Sequence, residues 1–193
     1  MAPPPPSIRL WRIFPWDRAA PAGEPYSASF VPGGQVSGRF DLGGRPPVLY
    51  LAESPTHAVG EKIQRYRGQV LEQSELREFG RPLALSEVSL TLSDPSVIAD
   101  LCDPSELLRF RCRPDELMSR EVARTQAVSR RLYDAGLAGF RLWSALSGDW
   151  HSSILYLDRV EPGSMAFSAP YELELTTPAV QEAAQLLAIS IRR

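Results

Sequence analysis

With 193 residues, 44% of them apolar and 23% charged, the chain has the length and usage of one ordinary globular domain with a core of its own. A formal net charge of −2 argues against a surface built for nucleic acid or acidic lipid, since both are held by basic excess. Lys62 is the one lysine among 21 cationic residues, so an anion site here must draw on arginine or backbone N–H groups.

The N-terminus, M-A-P-P-P-P-S, has neither a basic start nor an apolar run and does not read as a secretory signal. Residues 1–7 read instead as a proline-rich disordered tail. No apolar run approaches the ~18 residues of a membrane span. Cys102 and Cys112 form no C-x-x-C pair, and His57 and His151 are remote from both in sequence. Two free thiols in a reducing cytoplasm are expected, with no metal site. The protein reads as soluble and cytoplasmic.

A first strand is predicted over Ile8–Phe14, with Ile8, Leu10 and Arg12 on one face. Residues 15–47 then form a long loop rich in glycine and proline. Its aromatic residues, Trp16, Tyr26, Phe30 and Phe40, favour an ordered, functional loop over a disordered one. Val48–Ala52 is a short apolar run and reads as a buried strand. Ser54 and Pro55 open a helix as N-cap and first helical residue, and the helix is expected to run to about Arg67 and stop at Gly68. Val59, Ile63 and Tyr66 make its apolar stripe, with Glu61 beside it. Leu83–Leu92 alternates as a strand, with a slip at Ser86-Glu87.

Residues 104–118 are two short helical turns. Ser119–Ala135 is the longest predicted helix, closed by Gly136. Phe140–Trp143 and Ser153–Leu157 read as strands around a turn, Ala166–Leu175 as another strand, and Pro178–Ile191 as a terminal helix. Strands and helices do not alternate strictly, which favours α+β over a doubly wound sheet.

Few residues suit chemistry. Arg39 follows Gly38, and a guanidinium forks onto phosphate where glycine lets the backbone approach; its plain alternative is a loop arginine in solvent or paired with Asp41. Tyr50 is either a core tyrosine whose hydroxyl finds a partner or a ring stacked on a planar ligand. Glu61 is either half of a surface ion pair with Arg65, four residues on, or a carboxylate bordering a site. Ser144 and Ser147 flank a turn, but no G-x-S-x-G elbow or obvious base supports a serine hydrolase. No P-loop and no G-x-G-x-x-G is present.

Taken together, R-L-W-R-I-F near the start, G-R-F at 38–40, V-L-Y-L-A-E-S-P-T-H-A-V-G-E at 48–61, T-Q at 125–126 and G-F-R-L-W-S-A at 139–145 resemble the RES domain, a family named for an arginine, a glutamate and a serine. The core of the resemblance spans residues 8–160. A single domain over 8–193, with a C-terminal strand and helix at 165–191, would complete it. The resemblance implies an ADP-ribosyltransferase-like α+β fold of mixed and antiparallel sheets with flanking helices.

By position, the family's arginine, tyrosine, glutamate and serine fall on Arg39, Tyr50, Glu61 and Ser144, with Phe40 in the substrate-binding set. The family often has proline before its serine. Trp143 stands there instead, which leaves Ser144 and Ser147 both open. The resemblance further implies the toxin of a bacterial toxin–antitoxin pair, with NAD as substrate and no cofactor. Its partner would be an Xre-like helix-turn-helix antitoxin that supplies the DNA contact this chain does not make. Hydrolysis or phosphorolysis of the nicotinamide–ribose bond, ADP-ribosyl transfer to a macromolecule, and a non-catalytic nucleotide- or partner-binding module are the three functions left open.

Overall fold

The computed structural model describes residues 7–44 and 46–192. Of the tail expected at 1–7, residues 1–6 lie outside the described residues, and Ser7 opens the first strand. The elements in chain order are β1 (Ser7–Pro15), β2 (Val48–Ala52), α1 (Pro55–Ile63), β3 (Val70–Leu71), β4 (Arg77–Glu78), β5 (Arg81–Thr91), β6 (Ile98–Asp100), α2 (Pro104–Arg109), α3 (Pro114–Leu117), α4 (Val122–Asp134), β7 (Gly139–Trp143), β8 (His151–Tyr156), β9 (Met165–Phe167), β10 (Tyr171–Glu172), α5 (Pro178–Leu186) and β11 (Ser190–Ile191). Between β1 and β2 the described residues form only turns and irregular backbone, as the glycine and proline content predicts.

The chain gathers into two compact units, each assembled from separate segments. The first holds Val31–Leu51 and Thr91–Ser164. Its strands lie in the order β2-β8-β7-β6. β7 and β8 are antiparallel, from Gly139 opposite Leu155 to Trp143 opposite His151, whereas β6 runs parallel to β7. Helix α4 buries Thr125, Val128, Ser129 and Leu132, the i, i+3, i+4, i+7 stripe of an amphipathic helix. Gly136, at φ +93°, then stops it. Two members of that stripe, Thr125 and Ser129, are polar. The core beneath contains Phe40, Leu42, Val48, Phe140, Ile154 and Tyr156. The Phe40 and Phe140 rings meet edge to face with centroids 5.1 Å apart.

The second unit holds Ile8–Phe30, Ala52–Leu90 and Met165–Arg193. Trp11 of β1 pairs antiparallel with Ala52. β5 pairs antiparallel with β9, β10 and β4. Ser54 caps α1 by accepting from the His57 N–H at 3.1 Å, with Pro55 in the first turn. α1 packs on α5, and the Thr56 hydroxyl donates to Glu182 Oε2 at 2.6 Å.

Three predicted boundaries are corrected here. α1 ends at Ile63 and tightens into a 3₁₀ turn, Gln64–Tyr66, before Gly68 reverses the chain at φ +75°. The single strand expected at Ala166–Leu175 is two short ones, β9 and β10, because Pro170 between them has no N–H to give a ladder. The terminal helix stops at Leu186 rather than Ile191. Ala188 turns at φ +53°, and Ser190 and Ile191 pair in parallel with Val70 and Leu71 of β3. Ile191 continues the helical spacing of Val180, Ala184 and Leu187, but it sits opposite Leu71, and its neighbours Ser190 and Arg192 donate to Gln69 O and Leu71 O, more than 100 residues earlier.

Candidate functional site

Arg39 occupies the tip of a turn that its neighbours hold closed. The Asp41 N–H donates to Gly38 O at 3.2 Å, and the Gly38 N–H donates to Asp41 Oδ2 at 2.6 Å. The Tyr50 hydroxyl donates to Asp41 Oδ1 at 2.8 Å and accepts from the Phe40 N–H at 2.9 Å. From α4, Gln126 Nε2 donates to Val36 O at 2.9 Å and to Gly38 O at 3.0 Å, and Ser129 Oγ donates to Phe40 O at 2.7 Å. Both backbone groups of Gly38 and of Phe40, and the Asp41 N–H, therefore have partners. A Cβ on Gly38 would sit 2.5 Å from Asp41 Oδ1 and 2.6 Å from the Tyr50 hydroxyl, so close approach requires glycine here. The half-buried Arg39 guanidinium reaches the Leu117 carbonyl at the end of α3 and lies 5.3 Å from the centroid of the Phe40 ring.

Both carboxylate oxygens of Asp41 thus serve the turn, where the sequence had suggested a simple pairing with Arg39. The hydroxyl of Tyr50 has the structural use that its plain reading foresaw. Its proton is held far above the usual phenol range, first by burial and then by the bond to Asp41. Phe40 is corrected: at 3% exposure its ring belongs to the core against Phe140. It can serve a substrate only through the turn it anchors.

Ser144 follows β7 and is buried, and its hydroxyl accepts from the Leu146 N–H at 3.1 Å. Its own N–H donates to Trp150 O at 2.6 Å and closes the loop between β7 and β8. Ser147 lies within that loop, half-buried, and accepts from the Asp149 N–H at 3.4 Å. The end of the strand therefore carries Ser144. Arg39, Tyr50 and Ser144 all belong to the first unit.

Glu61 belongs to the second unit, on α1. Its Oε1 lies 3.1 Å from Nε2 of the buried His57, one helical turn earlier, and its Oε2 accepts from Gln64 at 3.1 Å. Two neighbours hold the carboxylate, yet its side chain keeps 42% of its exposure. Arg65, the partner considered from sequence, sits over Tyr66, 5.1 Å from the ring centroid.

Sequence reasoning missed Arg12 as a candidate. It lies on the side of β1 that buries Leu10 and Phe14. Burial lowers its pKa to about 10. Its guanidinium donates to Ala28 O at 2.7 Å and lies 5.1 Å from the Phe14 ring centroid, and no carboxylate among the described residues pairs with it. A cation so placed favours an anion. The signal was present in R-L-W-R-I-F: a charge on the apolar face of an alternating strand. Among the described residues no cluster of histidine, cysteine, aspartate or glutamate could hold a metal ion, and no helix is long and apolar enough to cross a membrane.

The family model of the RES domain matches residues 9–177. Comparison with curated proteins gives no match. Among solved structures, the fold is similar to a chain of the crystal structure of the M. tuberculosis MbcT–MbcA toxin–antitoxin complex. The TM-score is 0.63 at 18% identity, over 95% of this chain and 91% of that one. At that identity the likeness concerns the fold, and it agrees with the α+β arrangement of mixed strands and flanking helices expected from the sequence.

Proposed function

We propose that this chain, which belongs to the RES-domain family, is the toxin of a bacterial toxin–antitoxin pair and cleaves the nicotinamide–ribose bond of NAD. The observation that carries the reading is Glu61: a carboxylate fixed by His57 and Gln64 on a RES-domain helix, still 42% exposed. A carboxylate in that condition can meet positive charge as it develops without first having to reorganise.

In the reaction the C–N bond breaks with its electron pair going to nicotinamide, which leaves as a neutral base. The ribosyl carbon is left with oxocarbenium character, as in glycoside hydrolysis. Glu61 stabilises that charge in the transition state. Arg39, at the tip of its braced turn, holds the pyrophosphate through its guanidinium fork. The exposed part of the Tyr50 ring packs against the nicotinamide or ribose. Ser144 orients the ribose by hydrogen bonding. Water or phosphate then adds to the ribosyl carbon. NAD is consumed as substrate, and no cofactor is required.

The partner is an Xre-like helix-turn-helix antitoxin. The structural neighbour is a toxin–antitoxin complex, and the net charge of −2 leaves DNA contact to a second protein. The test is incubation of the purified protein with NAD carrying label in its adenylate half. Free nicotinamide with label only in small molecules supports NAD breakdown. Label on protein or nucleic acid replaces that reading with ADP-ribosyl transfer. Bound but intact NAD replaces it with a binding module.

A further inference from the structure

Taking Arg39 as the residue that holds the pyrophosphate, on which this assignment rests, we propose that Asp41 is a positioning residue. Its buried carboxylate and the Tyr50 hydroxyl form a brace that sets the direction of the Arg39 guanidinium. Asp41 is 2% exposed. A carboxylate out of water must have its oxygens satisfied, and here both are: Oδ2 by the Gly38 N–H of the turn at 2.6 Å and Oδ1 by the Tyr50 hydroxyl of β2 at 2.8 Å. Tyr50 passes the restraint on by accepting from the Phe40 N–H at 2.9 Å. The residues on either side of Arg39 are thereby fixed to one carboxylate, directly or through one hydroxyl. Gly38 is glycine because that carboxylate and hydroxyl fill the space a Cβ would need.

The polarity of the network requires an acceptor at both oxygens. In Asp41→Asn one oxygen becomes an NH₂ donor. If the remaining oxygen keeps the Gly38 N–H, the new donor faces a hydroxyl that already accepts from Phe40, and the hydroxyl proton loses its acceptor. Tyr50→Phe cuts the brace at its other end while leaving the ring in place. Asp41→Asn loosens the turn without touching the substrate, and Tyr50→Phe loosens it while keeping the ring that meets nicotinamide or ribose. Loss of orientation at a group that binds ground state and transition state alike raises KM more than it lowers kcat.

The experiment is a double-mutant cycle on NAD cleavage, followed by nicotinamide release over a range of NAD concentrations above that of the enzyme, with long time courses so that slow variants remain measurable. Thermal melts check that each variant is folded. Asp41→Asn is expected to raise KM for NAD by about tenfold while kcat changes by less than about threefold. In an Arg39→Ala background, Asp41→Asn should cost little more, because two residues acting through one interaction are not additive. Tyr50→Phe should repeat the pattern and carries the test if Asp41→Asn fails to fold. A wild-type KM in both folded brace variants overturns the inference. So does an equal loss of kcat/KM with and without Arg39, which would mark a general structural role. A wild type that releases no nicotinamide is a different result: it overturns the NAD reading and, with it, this assignment.

Discussion

Gly38 has the most restricted role of any residue in the arginine turn. A methyl group there overlaps Asp41 and Tyr50 at 2.5 and 2.6 Å, and relieving such overlap in a packed site costs about 1–3 kcal/mol. Gly38→Ala should lower the melting temperature and weaken NAD turnover together. Gly33→Ala, whose Cβ would meet nothing within 4 Å, should be silent in both assays. The site was only partly legible from sequence. Arg39, Tyr50, Glu61 and Ser144 sit in recognisable local settings, but the partners that give Arg39 its setting lie on β2 and α4, and no local rule pairs Gln126 with Gly38 across 88 positions. Ser129 falls inside the helix expected at Ser119–Ala135, and a serine within an apolar stripe usually has a buried partner, here the Phe40 carbonyl.

Tyr50 and Tyr156 give a pH prediction at the same scale. Burial raises both phenols above the ordinary value of about 10. A group whose pKa is raised in the folded state contributes stability that is full below its unfolded pKa and is lost as pH rises through the folded value. The fold should therefore weaken progressively above about pH 10. Alkaline titration followed by phenolate absorbance should show at least two of the six tyrosines ionising only as the protein unfolds. Six phenols titrating together in the folded protein would contradict the burial described for β2 and β8.

At the scale of elements, local rules worked where local chemistry decides. Ser54 and Pro55 fixed the start of α1, Gly136 the end of α4, and alternation found β5, but the slip expected at Ser86-Glu87 is absent: Ala84, Ser86, Val88 and Leu90 stay buried on one face throughout, and Leu83 and Leu85 are buried on the other. They failed at the C-terminus, where helical spacing continues past the helix and the deciding bonds are to β3. The reversal depends on Ala188, an exposed alanine at φ +53°. A left-handed alanine costs about 1–2 kcal/mol, partly offset in glycine by greater chain entropy when unfolded. Ala188→Gly should stabilise the protein by up to about 1 kcal/mol, which for a chain of this size is a rise of about 2–4 °C in Tm. A lower Tm would mean that the turn is not the residue's determining feature.

At the scale of the whole molecule, an enzyme that consumes NAD must be silenced in its host, and the antitoxin is proposed to do this. Expressed alone, the wild type should arrest growth and lower cellular NAD, and co-expression of the proposed antitoxin should restore both. The measurement that tests the central claim most directly is nicotinamide release from NAD by purified wild type and Glu61→Gln at matched folded concentration. Glutamine keeps the shape and much of the hydrogen bonding on α1 but lacks the charge that meets the ribosyl cation, and losing one such contact costs about 10²–10³ in rate. The proposal expects steady release by the wild type and a fall of that order in Glu61→Gln with an unchanged melting curve. Release at the wild-type rate by Glu61→Gln, or none by the wild type, would contradict it.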